Sequence, residues 1–312
     1  LLEVLRFPER KGMKRVLIVG ANGLLGQRVA RLFVDEYDLY CASVEPESYL
    51  DLHVPYLQLD ITDRQAVFEK IRSVRPDVVI NASAYTQVDR AEEEPDLCFA
   101  VNAEGVGYLA QACKAGGALL VHVSTDYVFD GKKGNYREED NPNPLGVYAR
   151  SKWLGEQRVK EVGGEFLIAR TAVLYGMGVR IGPNFPLWVV HSLRNGQTIR
   201  VVDDQIGNPT FADDLAAALK TLVERGARGL YHVAGPEPIS RYDFAMEIAH
   251  TFGLNDTKIQ RIKTEELQQK APRPLDASLD VSKLWRDYGL RLRGVKEQLR
   301  AFRTLYEQFQ AG

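Results

Sequence analysis

Three observations predict a doubly wound α/β fold, a parallel sheet covered on both faces, followed by a smaller α/β lobe. Apolar runs too continuous for a one-sided sheet recur through the first half of the chain. Helical stretches with one apolar face separate them. Beyond about residue 171 the alternation loosens, and glycines and prolines punctuate the chain as they do in an irregular lobe laid over a sheet edge.

The elements follow in order. Residues 16–19, Val-Leu-Ile-Val, read as a buried first strand closed by Gly20, and Leu24, Leu25, Val29, Leu32 and Phe33 then mark one face of a helix. Further strands are expected at 39–44, 56–59, 78–81, 119–123 and 166–169, with helices at 63–74, 96–114 and 148–162. Gly176, Gly178, Gly182 and Pro183 mark a loop, as do Pro236, Pro238, Pro272 and Pro274, while helices remain readable at 212–225, 240–252 and 294–309. The expected organisation is a dinucleotide-binding domain over 13–170 and a lobe over 171–312. Parts of that lobe, about 196–225 and the last helix, are expected to return to the first domain. Residues 1–12, with no long apolar core and Met13 just before the first strand, read as an added extension.

Composition narrows the function. The 312 residues carry 40 Lys+Arg against 42 Asp+Glu, a net charge of −2, so no basic excess exists for binding a nucleic-acid backbone. No stretch approaches the roughly 18 uninterrupted apolar residues of a membrane span. Three cysteines without paired spacing and five scattered histidines without an HExxH point to neither a disulfide framework nor a metal site. The expectation is a cytoplasmic, metal-free protein acting on a small molecule, with self-association as a homodimer left open.

The glycine loop Gly20-Ala21-Asn22-Gly23-Leu24-Leu25-Gly26 leaves the first strand and opens the first helix. Glycines let the backbone turn tightly against a pyrophosphate, and the helix N-terminus adds N–H donors and a positive dipole end. This Rossmann-like arrangement predicts dinucleotide binding. Asp60, ending the third strand, and Ile61 beside it are expected near the adenine; Ala82, Ser83 and Ala84 after the fourth strand let the cofactor approach closely. Glu45, about 20 residues beyond the loop, is placed to accept from the ribose 2′-hydroxyl of NAD, whereas Ser43 would tolerate the 2′-phosphate of NADP. The choice between NAD and NADP stays open here.

Tyr148-Ala149-Arg150-Ser151-Lys152 is the only YxxxK among 14 tyrosines, and it opens a helix. Residues i and i+4 face the same way, so the phenol and the ammonium reach the sheet edge where the fifth strand ends in Ser124-Thr125-Asp126. Hydride addition to a carbonyl creates an alkoxide that needs a proton as it forms. A phenol of ordinary pKa near ~10 donates sluggishly, and a nearby ammonium is expected to lower that value. Tyr148 is therefore assigned as proton donor, Lys152 as pKa modulator and ribose anchor, and Thr125 as the hydroxyl that holds the carbonyl oxygen. Ser124 is the alternative, because adjacent strand residues face opposite sides.

Together with Asn81-Ala82-Ser83-Ala84-Tyr85-Thr86-Gln87-Val88-Asp89-Arg90-Ala91-Glu92, Val101-Asn102-Ala103, Ser124-Thr125-Asp126-Tyr127-Val128-Phe129, Gly207-Asn208-Pro209-Thr210 and Arg273-Pro274 ahead of Ser278-Leu279-Asp280, these motifs resemble the dTDP-4-dehydrorhamnose reductase family of extended short-chain dehydrogenase/reductases. The likeness runs from about residue 14 to 300. It implies NADPH or NADH as cofactor, NADPH favoured, and reduction of the 4-keto group of dTDP-4-dehydro-6-deoxy-L-mannose to dTDP-L-rhamnose. It also implies Thr125, Tyr148 and Lys152 as catalytic, Asp126 and Tyr127 (with Ser124) lining the sugar pocket, and Asn208 and Arg273 near the nucleotide-sugar. One departure stands out: Val173 occupies the place of the family's usual tryptophan, which removes an aromatic platform for the sugar. The regulatory subunit of methionine adenosyltransferase is similar to the same family, so a non-catalytic, cofactor-binding module is the competing reading. A nucleotide-sugar epimerase or dehydratase is a third; a dehydratase would show an acidic pair after the strand-five Thr, where Asp126 is here followed by Tyr127.

Overall fold

The computed structural model describes residues 12–311, so the extension expected at residues 1–12 lies, apart from Gly12, outside the described residues. Six strands, with helices between all but the second and third, open the chain: β1 (Arg15–Val19), β2 (Asp38–Ser43), β3 (Tyr56–Gln58), β4 (Val78–Asn81), β5 (Leu119–Thr125) and β6 (Phe166–Thr171). A seventh, Gly229–His232, completes a parallel sheet in the order Gly229–His232, β6, β5, β4, β1, β2, β3. The alternation of β1 shows why its apolar run is unbroken. Val16 and Ile18 enter one buried layer with Val29 and Phe33 of helix α1 (Leu24–Phe33), while Leu17 and Val19 enter the opposite layer with Val67 and Ile71 of helix α2 (Arg64–Val74). Each such aliphatic side chain contributes about 1.5–3 kcal/mol on burial, so a one-residue slip would forfeit both layers.

β1 pairs with β2 on one side and with β4 on the other, so the chain reverses its direction of build-up there. Beyond the carboxyl ends of these two strands lies the crevice that doubly wound sheets use for ligands.

Two features depart from the sequence reading. The helix expected over 96–114 is interrupted: Pro95–Phe99 and Gly105–Gly116 are α-helical, but Ala100–Glu104 forms a π-turn between them. The last helix, Val295–Ala311, does not return to the first domain. Leu299, Phe302 and Tyr306 pack with Tyr175, Phe211, Phe244 and Phe252 in a second, aromatic-rich core. Residues 199–202 belong to that core as well, pairing in parallel with Ile259–Ile262. What returns to the main sheet is helix Ala212–Glu224, packed on α1, and the strand after it. Among the described residues no helix is long and apolar enough to cross a membrane.

Candidate active site

The glycine loop is built by close backbone packing. Gly20 has φ +81°, and its N–H and that of Ala21 donate to the carbonyl of Ala42 at 2.8 and 2.9 Å. A Cβ on Gly20 would sit 2.5 Å from the nitrogen of Ser83, and one on Gly26 would sit 2.1 Å from the carbonyl oxygen of Gly20. Gly20 thus seats the loop after β4 against the loop after β1, and Gly26 lets α1 meet the strand. At the N-terminus of α1, Gly23 offers no side-chain cap and the first turn carries no acid, so its N–H groups are free of side-chain acceptors.

The chemical end is assembled by β5 and the helix Gly146–Val162. Gly146 (φ +60°) leads into the helix, and Glu92 accepts from the N–H of Val147 at 2.7 Å. One turn apart, Tyr148 and Lys152 project toward the end of β5. The Tyr148 phenol stands beside the side chain of Thr125, whose hydroxyl donates to Asp126 Oδ1 at 2.9 Å and accepts from the N–H of Tyr127 at 3.2 Å. Lys152 Nζ donates to the carbonyl of Val123 at 2.7 Å. The π-turn holds this helix: Asn102 bonds both backbone groups of Tyr85, at 2.9 and 3.0 Å, and its amide donates to Ser151 Oγ at 3.0 Å. Gly155 lets the helix come so near that an added Cβ would lie 2.2 Å from the Asn102 carbonyl oxygen.

Both ends open into one cleft of about 1010 Å³. Gly20, Gly23, Leu24 and Leu25 line it at the loop; Asp60, Ile61, Ser43 and Glu45 line its outer wall; Ala82, Ser83 and Ala84 its floor. Thr125, Asp126, Tyr148 and Lys152 close the far end. Ser124 touches the wall, but its hydroxyl turns away and donates to Glu156 at 2.6 Å, which leaves Thr125 as the hydroxyl beside Tyr148.

Other expected residues have different duties. Asn22 is 3% exposed and off the cleft wall: its amide donates to Glu45, to the Glu47 carbonyl and to Tyr56, tying the β2–β3 loop to the glycine loop. Asn208 is fully buried, with its amide donating to the carbonyls of Gly235 and Leu279 and its oxygen accepting from Leu279 N–H, so it joins three loops and does not line the cleft. Arg273 is ion-paired with Asp89 at 2.8 Å and bonded to the Ala271 carbonyl; it lies near Tyr127 without reaching the cleft wall. Tyr127 stacks edge-on against Tyr148, ring centres 5.9 Å apart. Val173 lines the cleft with φ +46°, an unusual conformation for a β-branched residue, and faces Gly207.

Two side chains escaped the sequence reading. Arg241 begins helix Arg241–Phe252, acts electrostatically on Tyr127 and Asp126 and lies over the Phe185 ring at 5.3 Å. The Ser240–Asp243 cap marks that helix start, but nothing local shows which pocket it faces. Thr171, at the end of β6 opposite Thr125, lines the cleft with a buried hydroxyl that has no hydrogen-bond partner. A buried unpaired hydroxyl calls for a ligand atom.

Burial dominates the electrostatics of the site. Burial raises the Tyr148 phenol above its ordinary value, opposed by the neighbouring Thr125 side chain, while the Lys152 ammonium donates to the strand carbonyl of Val123. Burial likewise lowers Lys152 to about 8, against the opposing pull of Glu156. Asp126 is pushed up to about 6 by burial, against the Thr125 hydrogen bond and the Arg241 charge.

The Asp126 shift has a stability consequence. An acid whose folded pKa lies above its unfolded 3.8 binds more protons folded, so its contribution weakens as pH rises from about 4 to about 6. Asp126→Asn removes that dependence and is expected to raise stability at pH 7 by about 2–3 kcal/mol relative to pH 4. Urea unfolding of both proteins at the two pH values reads the difference directly; parallel curves would contradict it.

A parallel sheet with a glycine loop at its switch point, joined by one cleft to a Tyr/Lys pair beside a strand-end Thr, defines a coenzyme-dependent oxidoreductase of the short-chain dehydrogenase/reductase type. The family model described as the RmlD substrate binding domain matches residues 13–307, and the chain belongs to that family. Among its relatives, dTDP-4-dehydrorhamnose reductase of Aggregatibacter actinomycetemcomitans is 36% identical over 307 residues, covering 95% of this chain and 100% of that protein. The spore coat polysaccharide biosynthesis protein SpsK of Bacillus subtilis is 35% identical, covering 93% and 97%. The crystal structure of dTDP-4-dehydrorhamnose reductase from Bacillus anthracis in complex with NADP superposes with a TM-score of 0.86 at 35% identity, covering 94% of this chain and 99% of that one.

Proposed function

We propose that this protein reduces the 4-keto group of a nucleotide-linked 4-keto-6-deoxy sugar, dTDP-4-dehydrorhamnose, to dTDP-L-rhamnose with NAD(P)H. The observation that carries this reading is the juxtaposition of Tyr148, Thr125 and Lys152 at the far end of the same cleft that the glycine loop lines. The cleft fits a dinucleotide: the uncapped N–H groups at α1 would hold a pyrophosphate, small residues 82–84 floor the centre, and the Thr171 hydroxyl, which has no partner, would take a polar atom. When bound, the reduced coenzyme supplies hydride.

The chain's own residues supply the rest. Reduction requires a phenol that is protonated before reaction, and burial keeps Tyr148 in that form. As negative charge grows on the carbonyl oxygen, Tyr148 gives it the proton, and Thr125 orients that oxygen. Lys152 uses one N–H on Val123, which leaves two donors for a ribose hydroxyl and a positive charge near the departing proton's phenolate. Asp126 and Tyr127, with Arg241 behind them, form the sugar-facing wall.

The test is coenzyme consumption by the purified protein upon addition of dTDP-4-dehydrorhamnose. Oxidation of NAD(P)H that depends on the keto sugar, with dTDP-L-rhamnose as product, is the expected result. Binding of coenzyme without turnover of any 4-keto sugar would overturn the reading.

A further inference from the structure

We infer that Glu92 is a positioning residue for the reaction: from off the cleft wall it fixes the first turn of the helix Gly146–Val162, and with that turn the phenol of Tyr148. This rests on the role given to Tyr148 above.

The first N–H groups of a helix have no carbonyl one turn earlier to accept from them, and Leu145, at the N-cap here, brings no side-chain acceptor. Glu92 supplies one from a segment 55 residues away: its Oε1 accepts from Val147 N–H at 2.7 Å. Gly146 is what admits the carboxylate. It holds φ +60°, and a Cβ there would lie 2.7 Å from that same Oε1 and 3.2 Å from Cδ of Pro272. Gly146 is thus gripped from two sides, and both grips trace to one short helix, Val88–Ala91. Glu92 directly follows that helix. Asp89, within it, accepts from Ala271 N–H at 3.0 Å and from Arg273 at 2.8 Å, which holds Pro272 between them in place.

Further along, the helix is fixed by other groups. Asn102 donates to Ser151 Oγ at 3.0 Å, Lys152 donates to the Val123 carbonyl at 2.7 Å, and Gly155 lies against the Asn102 carbonyl. Tyr148 falls between the two anchorages, one residue after Val147. Neither Glu92 nor Gly146 lines the cleft, so the coenzyme floor and the sugar wall do not depend on them. Loosening the first turn therefore displaces the phenol and leaves Lys152, the glycine loop and the wall where they are. Proton transfer is steep in geometry, since a misplacement of about 1 Å can cost on the order of 10²-fold in rate. Ground-state binding is not, so the signature of lost positioning is a slower chemical step at nearly unchanged KM.

Single-turnover rate and KM with the keto sugar, beside a coenzyme titration and urea unfolding of each variant, test this. Glu92→Ala leaves the Val147 N–H without its acceptor and is expected to slow the chemical step about 10–30-fold, with KM and coenzyme affinity within about threefold. Glu92→Gln keeps the acceptor and gives up the charge, and is expected to recover the rate to within about threefold of the unaltered protein. Glu92→Asp keeps the charge but draws the acceptor back by one methylene, and is expected to slow the step about fivefold. It carries the test if the Ala protein does not fold. An unaltered rate in the Ala protein, or in the Asp protein where Ala does not fold, would overturn the inference. So would a loss as large in Glu92→Gln as in Glu92→Ala, or one confined to KM or coenzyme affinity. Those outcomes leave keto-sugar reduction standing, whereas absence of turnover in the unaltered protein removes the parent reading and this inference with it.

Discussion

Tyr148→Phe is expected to lower kcat by about 10²–10⁴-fold, the range that a positioned acid contributes, while coenzyme affinity stays within about threefold. The substitution deletes one oxygen and keeps the ring that packs edge-on against Tyr127. The glycine loop and Lys152 are untouched, so binding and proton donation separate cleanly. Single-turnover rates with saturating keto sugar, beside a coenzyme titration, give both numbers. A rate within a few-fold of the unaltered protein would mean that some other group delivers the proton.

The second large effect lies behind the site. Arg170 and Glu156 are almost completely buried and paired through two bonds, at 2.8 and 2.7 Å. Ser124 donates to the same carboxylate, and Arg170 lies over the Phe129 ring at 5.0 Å. Arg170→Met leaves Glu156 buried with only the Ser124 hydroxyl and a Lys160 ammonium 4.0 Å away, and is expected to cost about 3–5 kcal/mol of stability. Adding Glu156→Leu should recover much of that loss, because replacing both ions removes the desolvation penalty together with the attraction. Denaturant unfolding of the single and double variants decides it. A loss below about 1 kcal/mol for the single variant, or no recovery in the double, contradicts this account of the pair. Since Glu156 follows Lys152 by one turn of the same helix, the ion pair also anchors the segment that carries Tyr148.

Much of the sheet was legible because each central strand is buried on both faces, which forces continuous apolar runs such as Val16–Val19 and Val78–Ile80. The seventh strand, Gly-Leu-Tyr-His, is four residues long and mixed in polarity, too short to show a period. The π-turn at Ala100–Glu104 inserts no unusual residue and so leaves no mark on the apolar pattern. In the site, Tyr148 and Lys152 were readable from helical spacing, and Thr125 from its place at a strand end. Asn208 and Arg273 take partners remote in sequence, which the chain alone does not show: Leu279 lies 71 residues from the first and Asp89 184 residues from the second. Residue type announces hydrogen-bonding capacity, but only the folded chain shows which neighbour uses it. Arg241 and Thr171 were missed for the same reason, since neither belongs to a local pattern that distinguishes it from a surface cation or a strand-end hydroxyl.

The central claim is hydride delivery to a sugar carbonyl in the cleft that Thr125, Tyr148 and Lys152 close. Its most direct measurement is the mass and deuterium position of the product formed from dTDP-4-dehydrorhamnose with coenzyme deuterated at nicotinamide C4. One deuterium at sugar C4 from one face of the coenzyme, and none in the Tyr148→Phe protein over the same interval, is the predicted result. Product lacking deuterium at that carbon, or equal labelling by the Phe variant, would contradict it.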